Sequence, residues 1–384
     1  MTGSQVSRVA YPLLVFSLGG DALQAGLVGA AAVIPYLLIG MPAGVLVDRW
    51  NRTHLMIGCD IGRLVVLAAV PIVGVFGHLT IAQLAVTVVI DTALYILFNA
   101  AQIAALPRIV DPDQVTTALA QDQAGLQLAL LSGPLLGGYL FQAVSRVAPF
   151  LLDAASYGAS VLTLVFLRTP LQERSHAPAG QFLREMGEGT AWLWRHKLVR
   201  FLTITTGGIF FVGNASYLMV IVAAHHQHAS PMTIGIILGA GSMGGVAGSI
   251  LANRLGRVLP FVVIVAGSVW LQALVLPLYA VASNAAVLAG ITAIIALIEA
   301  ATDPVRYGYQ LSLIPDALRG RVITVSSSLV FIPMWLGSAA AGALLQSFGI
   351  GPTALTLAAV LASLAAALSL NSDIRQVGLP GGSI

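Results

Sequence analysis

Runs of about twenty apolar residues recur along the whole chain. They fall at about 5–18, 25–47, 55–76, 80–104, 116–141 and 147–167, then again at 199–222, 232–252, 258–280, 285–305, 321–345 and 350–370. A run of this length crosses a bilayer core of about 30 Å as a helix, whereas a membrane strand needs only about half as many residues. In hydrocarbon only a helix or a closed barrel satisfies every backbone N–H and C=O. The pattern therefore predicts an all-α integral membrane protein of twelve transmembrane helices, six on each side of one hydrophilic stretch.

That stretch, RTPLQERSHAPAGQFLREMGEGTAWLWRHKLVR (168–200), sets Phe182, Met186, Trp192 and Trp194 among polar residues. The spacing predicts an interfacial helix from Gln181 to Trp194, with tryptophan at headgroup level. Over 172–180 a disordered linker is an equal expectation. The predicted organisation is a six-helix bundle over 1–167, a cytoplasmic central loop over 168–198, a second bundle over 199–370 and a tail over 371–384.

Basic residues sort by loop. The central stretch and the loops on its side hold Arg49, Arg52, Arg108, Arg168, Arg174, Arg184, Arg195, Lys197, Arg200, Arg254, Arg257, Arg319, Arg321 and, in the tail, Arg375, while the opposite loops hold only Arg146. Positive charge stays on the cytoplasmic side, so both termini are expected there, in a cell membrane. The first run contains Gln5 and Arg8 and is short for a span, so roughly ten further residues are expected upstream of Met1.

Composition sharpens this picture. The chain is 58% hydrophobic and 9% charged, against about 25% charged in a soluble domain, so most of it never meets water. A net charge of +3 without a basic, aromatic-studded patch argues against a nucleic-acid partner, and the single cysteine, Cys59, excludes an internal disulfide.

Two charged stretches repeat. In GVLVDRWNR (44–52) and ILANRLGR (250–257), Leu46-x-Asp48-Arg49-x-Asn51-Arg52 matches Leu251-x-Asn253-Arg254-x-Gly256-Arg257 at a constant offset, and Pro107 before the fifth helix is echoed by Pro315 before the eleventh. A duplicated six-helix unit with parallel repeats is a transporter architecture. Within the motif the Asp is expected to cap a neighbouring helix, and the arginines to meet carboxylates and anionic headgroups. Asn51 and Gly256 would tolerate left-handed turn angles.

GVLVDRWNRTHL resembles the loop signature G-x-L-x-D-R-x-G-R-K of the major facilitator superfamily. Gly44, Leu46, Asp48, Arg49 and Arg52 match it, with Asn51 in place of a Gly and Thr53 of a Lys. SGPLLGG (132–138) is similar to the exporters' fifth-helix G-P-x-x-G-G element through Gly133, Pro134, Gly137 and Gly138, with Ala129 where that element carries an earlier glycine. ALPRIVDPDQVTTALAQDQ and IPDALRGRV resemble the branch that contains macrolide-efflux and enterobactin-exporter proteins. The resemblance implies two pseudo-symmetric six-helix bundles in the major facilitator fold, with a first helix truncated at its N-terminus. It also implies that Gly44, Asp48, Arg49 and Arg52, with Asn253, Arg254 and Arg257, latch a cytoplasmic gate.

Ionisable groups inside a membrane are costly and mark function by default. Arg8, Asp60, Arg63, Asp91, Asp122, Asp153, Glu299, Asp303 and Arg306 lie in or near the runs. Asp91 and Arg8 each sit about 15 Å from the outer ends of their helices at 1.5 Å per residue. In the resembling fold, helices one, four, seven and ten line the cavity. The resemblance thus implies an Arg8–Asp91 pair facing it, with Glu299 on the opposite wall, either coupling protons or serving as a permanent helix–helix tie. Asp60–Arg63 and Asp303–Arg306, spaced i, i+3, are expected to be structural or gate pairs, and Asp122 and Asp153 either functional or structural, with structural the leading expectation. Further cavity candidates are Asn99, Asn214, Tyr217, Trp270 and Tyr307.

Some motifs mislead. GAGSMG (239–244) fits a dinucleotide fingerprint but lies in an apolar run without the strand that motif needs. Close helix packing through Gly241, Gly244, Gly245 and Gly248 is the expectation instead. HHQH (225–228) reads as loop polarity rather than a metal site. The only lysine is Lys197, so no phosphate-cradling loop is present, and no cofactor is expected. The composite expectation is a secondary-active exporter of an amphipathic small molecule such as a drug, antibiotic or siderophore, exchanging it for protons. Its partners are the substrate, an ion gradient and the bilayer. An importer of a small metabolite and a non-transporting scaffold are the alternatives. An intramembrane hydrolase lacks both its G-x-S-x-G elbow and its H-E-x-x-H pair.

Overall fold

A computed structural model describes residues 2–40, 42–110, 114–166 and 179–375. Nearly all of them are helical. Ten helices among the described residues are long and apolar enough to cross a membrane. The chain divides into two compact units, Met1–Glu185 and Met186–Ile384.

The first unit contains α1 (Thr2–Ser17), α2 (Ala22–Ala30), α3 (Val33–Leu38), α4 (Ala43–Arg49), α5 (Arg52–Val75), α6 (Ile81–Ile109), α7 (Val115–Ala143) and α8 (Ala148–Phe166). The single helix expected over 25–47 is in fact three short ones, and proline explains both breaks. Proline has no N–H to give the carbonyl four residues earlier, and its ring crowds that carbonyl. Pro35 thus cannot supply the α-helical bond to Ala31, the C-cap of α2, whose carbonyl accepts from Ile34 N at 3.2 Å instead, and Pro42 cannot supply that to Leu38, the last residue of α3.

After α9 (Ala179–Arg195), the second unit runs through α10 (Lys197–His226), α11 (Pro231–Val258), α12 (Phe261–Val275), α13 (Ala285–Ser312), α14 (Arg319–Phe348), α15 (Ile350–Leu370) and α16 (Ser372–Arg375). The final turns of the α12 span tighten into a 3-10 segment, Leu276–Ala280, at Pro277.

Each unit packs by the same scheme. In the first, α1 lies on α7 and α8, the α2–α4 segment on α6, and α5 on α6 and α8; in the second, α10 lies on α14 and α15, α11 on α13, and α12 on α13 and α15. Four helix starts, those of α2, α6, α11 and α13, are firmly capped. Asp21 and Thr80 form capping boxes with Gln24 and Gln83, while Ser230 and Asn284 accept the N–H groups of Thr233 and Val287. Such caps satisfy donors that would otherwise be orphaned at a helix start.

From Met186 onward, α9 is seated on the second unit. Leu193 is fully buried with Val199, Ile314, Val322 and Val325, and Met186 and Trp192 pack on that cluster. Glu188 accepts a 2.6 Å hydrogen bond from Arg321. The expected linker over 172–180 falls almost wholly outside the described residues.

Candidate functional site

The interior of the first unit holds a polar cluster at the junction of α1, α5, α6 and α8. Arg63 Nε donates to Asp91 at 2.8 Å, with the two side chains 5% and 20% exposed. The guanidinium also lies 4.1 Å from the Tyr157 ring centroid and 5.4 Å from that of Tyr95. One turn earlier on α5, Asp60 accepts a 2.5 Å hydrogen bond from Ser160. On α1, Ser4 shares a 2.7 Å hydrogen bond with the Tyr157 hydroxyl, and Tyr11 meets Phe150 edge-on at 5.0 Å. Asp153 is buried against α1, where a methyl group at Gly3 would fall 2.5 Å from its Oδ1.

Helical periodicity builds this cluster. Ser4, Ser7 and Tyr11 form one stripe on α1, while Asp153, Ser156, Tyr157 and Ser160 form another on α8. Residues three, four and seven apart share a helix face, so each stripe turns inward in an otherwise apolar helix. This periodicity is the signal that would have found Ser4, Ser7, Tyr11 and Tyr157 and set Asp153 beside them. Composition and depth singled out Arg63 and Asp153 but not their hydroxyl and aromatic neighbours.

Depth also chose the wrong partner for Asp91. The expected Arg8–Asp91 pair is not the one formed, because α1 packs chiefly on α7 and α8 whereas α5 and α6 pack directly on each other. Arg8 is half-buried on α1. The expected Asp60–Arg63 pair is likewise replaced, Arg63 reaching across to Asp91 and Asp60 taking Ser160.

The second unit carries its polar stripe on α13. Arg306 donates to Asp303 at 2.5 Å, as the i, i+3 spacing predicts, and Gln310 donates to Thr203 of α10 at 2.9 Å. Glu299, the fifteenth residue of this 28-residue helix, lies on the same stripe. Its carboxylate faces α10 at Gly213, where an added methyl would lie 3.6 Å from Oε1. Among the proposed cavity residues, Asn214 is buried and donates to Ser338 at 2.8 Å, Trp270 donates to Ser369 at 3.2 Å, Asn99 and Tyr217 are half-buried and Tyr307 is exposed.

The two copies of the charged motif share a spacing but not a conformation. Asn51 has extended angles (φ −63°, ψ 115°) and caps α5, its Oδ1 accepting from His54 N at 3.1 Å. It serves as a side-chain acceptor and not as a left-handed turn residue, and the cap expected of the motif's Asp is supplied one turn later by Asn51. Gly256 lies within α11 and needs no special backbone angle. Gly44 lies in α4, Arg49 and Arg254 are exposed, and Arg52 Nη1 donates to the Ala104 carbonyl of α6 at 2.9 Å. The side chains of Asp48, Asn253 and Arg257 lie outside the described residues.

The glycine motif on α7 is a packing seam. A methyl at Gly137 would fall 2.8 Å from the Val6 carbonyl oxygen, and one at Gly133 would collide with Gln5; Pro134 and Gly138 are buried beside them. On α11, methyls at Gly244 and Gly248 would overlap the Ala293 and Leu297 carbonyls of α13, and one at Gly241 would press on Thr292. Gly245, expected in the same seam, faces open space.

Helices of membrane-crossing length with ion pairs in their interiors define a multi-pass membrane protein. The chain belongs to the Major Facilitator Superfamily, whose family model matches residues 1–332, and it is a transporter rather than an enzyme. It is 27% identical over 370 residues to the multidrug efflux pump Tap of Mycobacterium tuberculosis, covering 93% of this chain and 87% of that one. Macrolide efflux protein A of Streptococcus pyogenes is 21% identical over 382 residues, with 98% and 94% covered. Among solved structures, an inward-facing bacterial homologue of the human lysosomal transporter Spinster superposes with a TM-score of 0.76 at 15% identity, over 97% of this chain and 94% of its own. A bacterial homologue of the iron transporter ferroportin gives 0.73 at 16%, over 96% of each chain. These structures share the fold.

Proposed function

We propose that this protein exports an amphipathic small molecule, of the drug or macrolide class, from the cytoplasm across the cell membrane in exchange for protons. Its termini lie on the cytoplasmic side, and its two bundles alternate access to a site at mid-membrane. The observation that carries the reading is the likeness to two differently named efflux proteins along nearly the full length of this chain. Asp91, held by Arg63, and Glu299, halfway along its span, supply the carboxylates such an exchange requires. Arg8 contributes positive charge on the first span. The motif residues Gly44, Asp48, Arg49 and Arg52, with Asn253, Arg254 and Arg257, brace the cytoplasmic ends during the cycle.

The test is transport in reconstituted vesicles under an imposed pH gradient, with radiolabelled erythromycin as probe. Accumulation that collapses when a protonophore dissipates the gradient is expected, as is increased macrolide tolerance in cells expressing the protein. Erythromycin movement unaffected by the gradient would remove the antiport mechanism. No movement of erythromycin or of a broader amphipathic drug panel would remove the export reading.

A further inference from the structure

The antiparallel register of α5 and α8 sets two buried acids, Asp60 and Asp153, on either side of Arg63 and its partly exposed partner Asp91 of α6. Asp60 meets Ser160 and Arg63 meets Tyr157. Continuing that register sets Asp153 level with Leu67, about 6 Å beyond Arg63 along the axis at 1.5 Å per residue. Asp60 lies about 4.5 Å on the other side of Arg63. Asp91 stands at Arg63 itself. The acids therefore step along the helix axes, roughly one helical turn apart.

Charge does not balance here if every acid is ionised. Arg63 neutralises Asp91 by a direct bond. Asp60 has the Ser160 hydroxyl. Asp153, 1% exposed, has a weak 3.5 Å contact from Ser156 and the Ser7 hydroxyl beside it, and no directly bonded cation among the described residues. The groups that act on it are Ser7 and Tyr11 of α1, Arg63 of α5, Asp91 of α6, Tyr157 of α8 and, more weakly, the positive charge at the start of the chain. Ser7, only 2% exposed, faces Asp153 without completing a well-aligned hydrogen bond, and the buried Tyr11 hydroxyl has no hydrogen-bond partner among the described residues. A bare carboxylate in such a place is strongly disfavoured, whereas a neutral carboxyl is not.

We propose that Asp60, Asp91 and Asp153 form a proton relay through the first bundle, with Asp153 as the carboxyl that holds the exchanged proton. The proposal rests on the antiport reading above and deepens it. A proton arriving from water converts the Asp153 carboxylate to the acid, and its departure restores the carboxylate. Once ionised, Asp153 competes with Asp91 for the one guanidinium, since both interact with Arg63. A shift of Arg63 toward Asp153 loosens Asp91, which passes the change in protonation along the stripe.

The test compares wild type with D153N and D153E in lipid vesicles. At neutral pH the infrared C=O stretch of a protonated carboxyl is expected in wild type and reduced in D153N. Erythromycin accumulation driven by a pH gradient is expected to be lost in D153N, while gradient-free erythromycin counterflow persists. An unchanged carboxyl band, or gradient-driven accumulation in D153N equal to wild type, overturns the relay and leaves antiport standing. If D153N also loses counterflow, D153E decides: restored gradient-driven accumulation supports the relay and its absence overturns it. No gradient-driven accumulation by wild type defeats the antiport reading, and the relay with it.

Discussion

The Arg63–Asp91 pair makes a quantitative prediction. Two unit charges 2.8 Å apart attract by about 6 kcal/mol at an effective dielectric of about 20. Desolvation offsets much of that, so replacing both partners by apolar residues is close to neutral, whereas removing one costs about 3–5 kcal/mol. The two single losses differ. Asp91→Leu deprives a guanidinium that is 5% exposed and stays charged of its directly bonded carboxylate, while Arg63→Met strands a carboxylate that is 20% exposed and is able to protonate. Asp91→Leu is therefore the worse variant, and the double variant melts closer to wild type than either. Cys59 provides the assay. It is the only cysteine, is 2% exposed and lies one turn from Arg63 on α5. A thiol-reactive fluorogenic dye reports its exposure as the detergent-solubilised protein is heated. At about 2–4 °C per kcal/mol for a unit of this size, the single variants should melt roughly 6–20 °C lower. A double variant that melts as low as the sum of the singles, or an Asp91→Leu variant that melts like wild type, would refute the reasoning.

Three further outcomes follow from the packing. Gly244→Val forces α11 off α13 and is expected to cost about 1–3 kcal/mol or more in thermal unfolding, whereas Gly245→Ala, facing open space, is neutral or slightly stabilising; similar melting of the two would deny the seam. At the seat of α9, Leu193→Ala should cost about 2–5 kcal/mol. Glu188→Ala, which breaks a half-exposed ion pair, should cost about 1 kcal/mol or less; the reverse order would make the docking ionic. Glu299→Gln should leave melting unchanged and reduce gradient-driven erythromycin accumulation in vesicles, and full retention would remove Glu299 from the transport cycle.

Ten of the twelve expected spans appear as helices of membrane-crossing length among the described residues, legible because a bilayer imposes a length that few other environments demand. The glycine seams were legible in part. GAGSMG was correctly read as packing, but which glycines face the neighbouring helix depends on helical phase, and Gly245 points away. The break in the second span was readable only in part: Pro35 and Pro42 cannot supply the α-helical bond to the carbonyls four residues earlier, yet Pro71, Pro134, Pro304 and Pro333 lie inside unbroken helices. Partner choice was not readable from depth. Arg8 and Asp91 match in depth, yet depth fixes one coordinate of three, and helix adjacency gives Asp91 to Arg63. Asn51 shows a similar limit, because one residue type suits both a left-handed turn and a helix cap, and only the backbone angles tell them apart.

The way α9 is anchored bears on how the gene tolerates being divided. Because Leu193 and Glu188 are tied to residues 314–325 and 321, a break introduced between Phe166 and Ala179 leaves every helix with its own neighbours. A break after Arg195 would strip the second fragment of an apolar plug and uncover Val199, Ile314 and Val322 to water at its rim. Two co-expressed fragments should accordingly accumulate in the membrane when parted at the first position and be cleared by quality-control proteases when parted at the second.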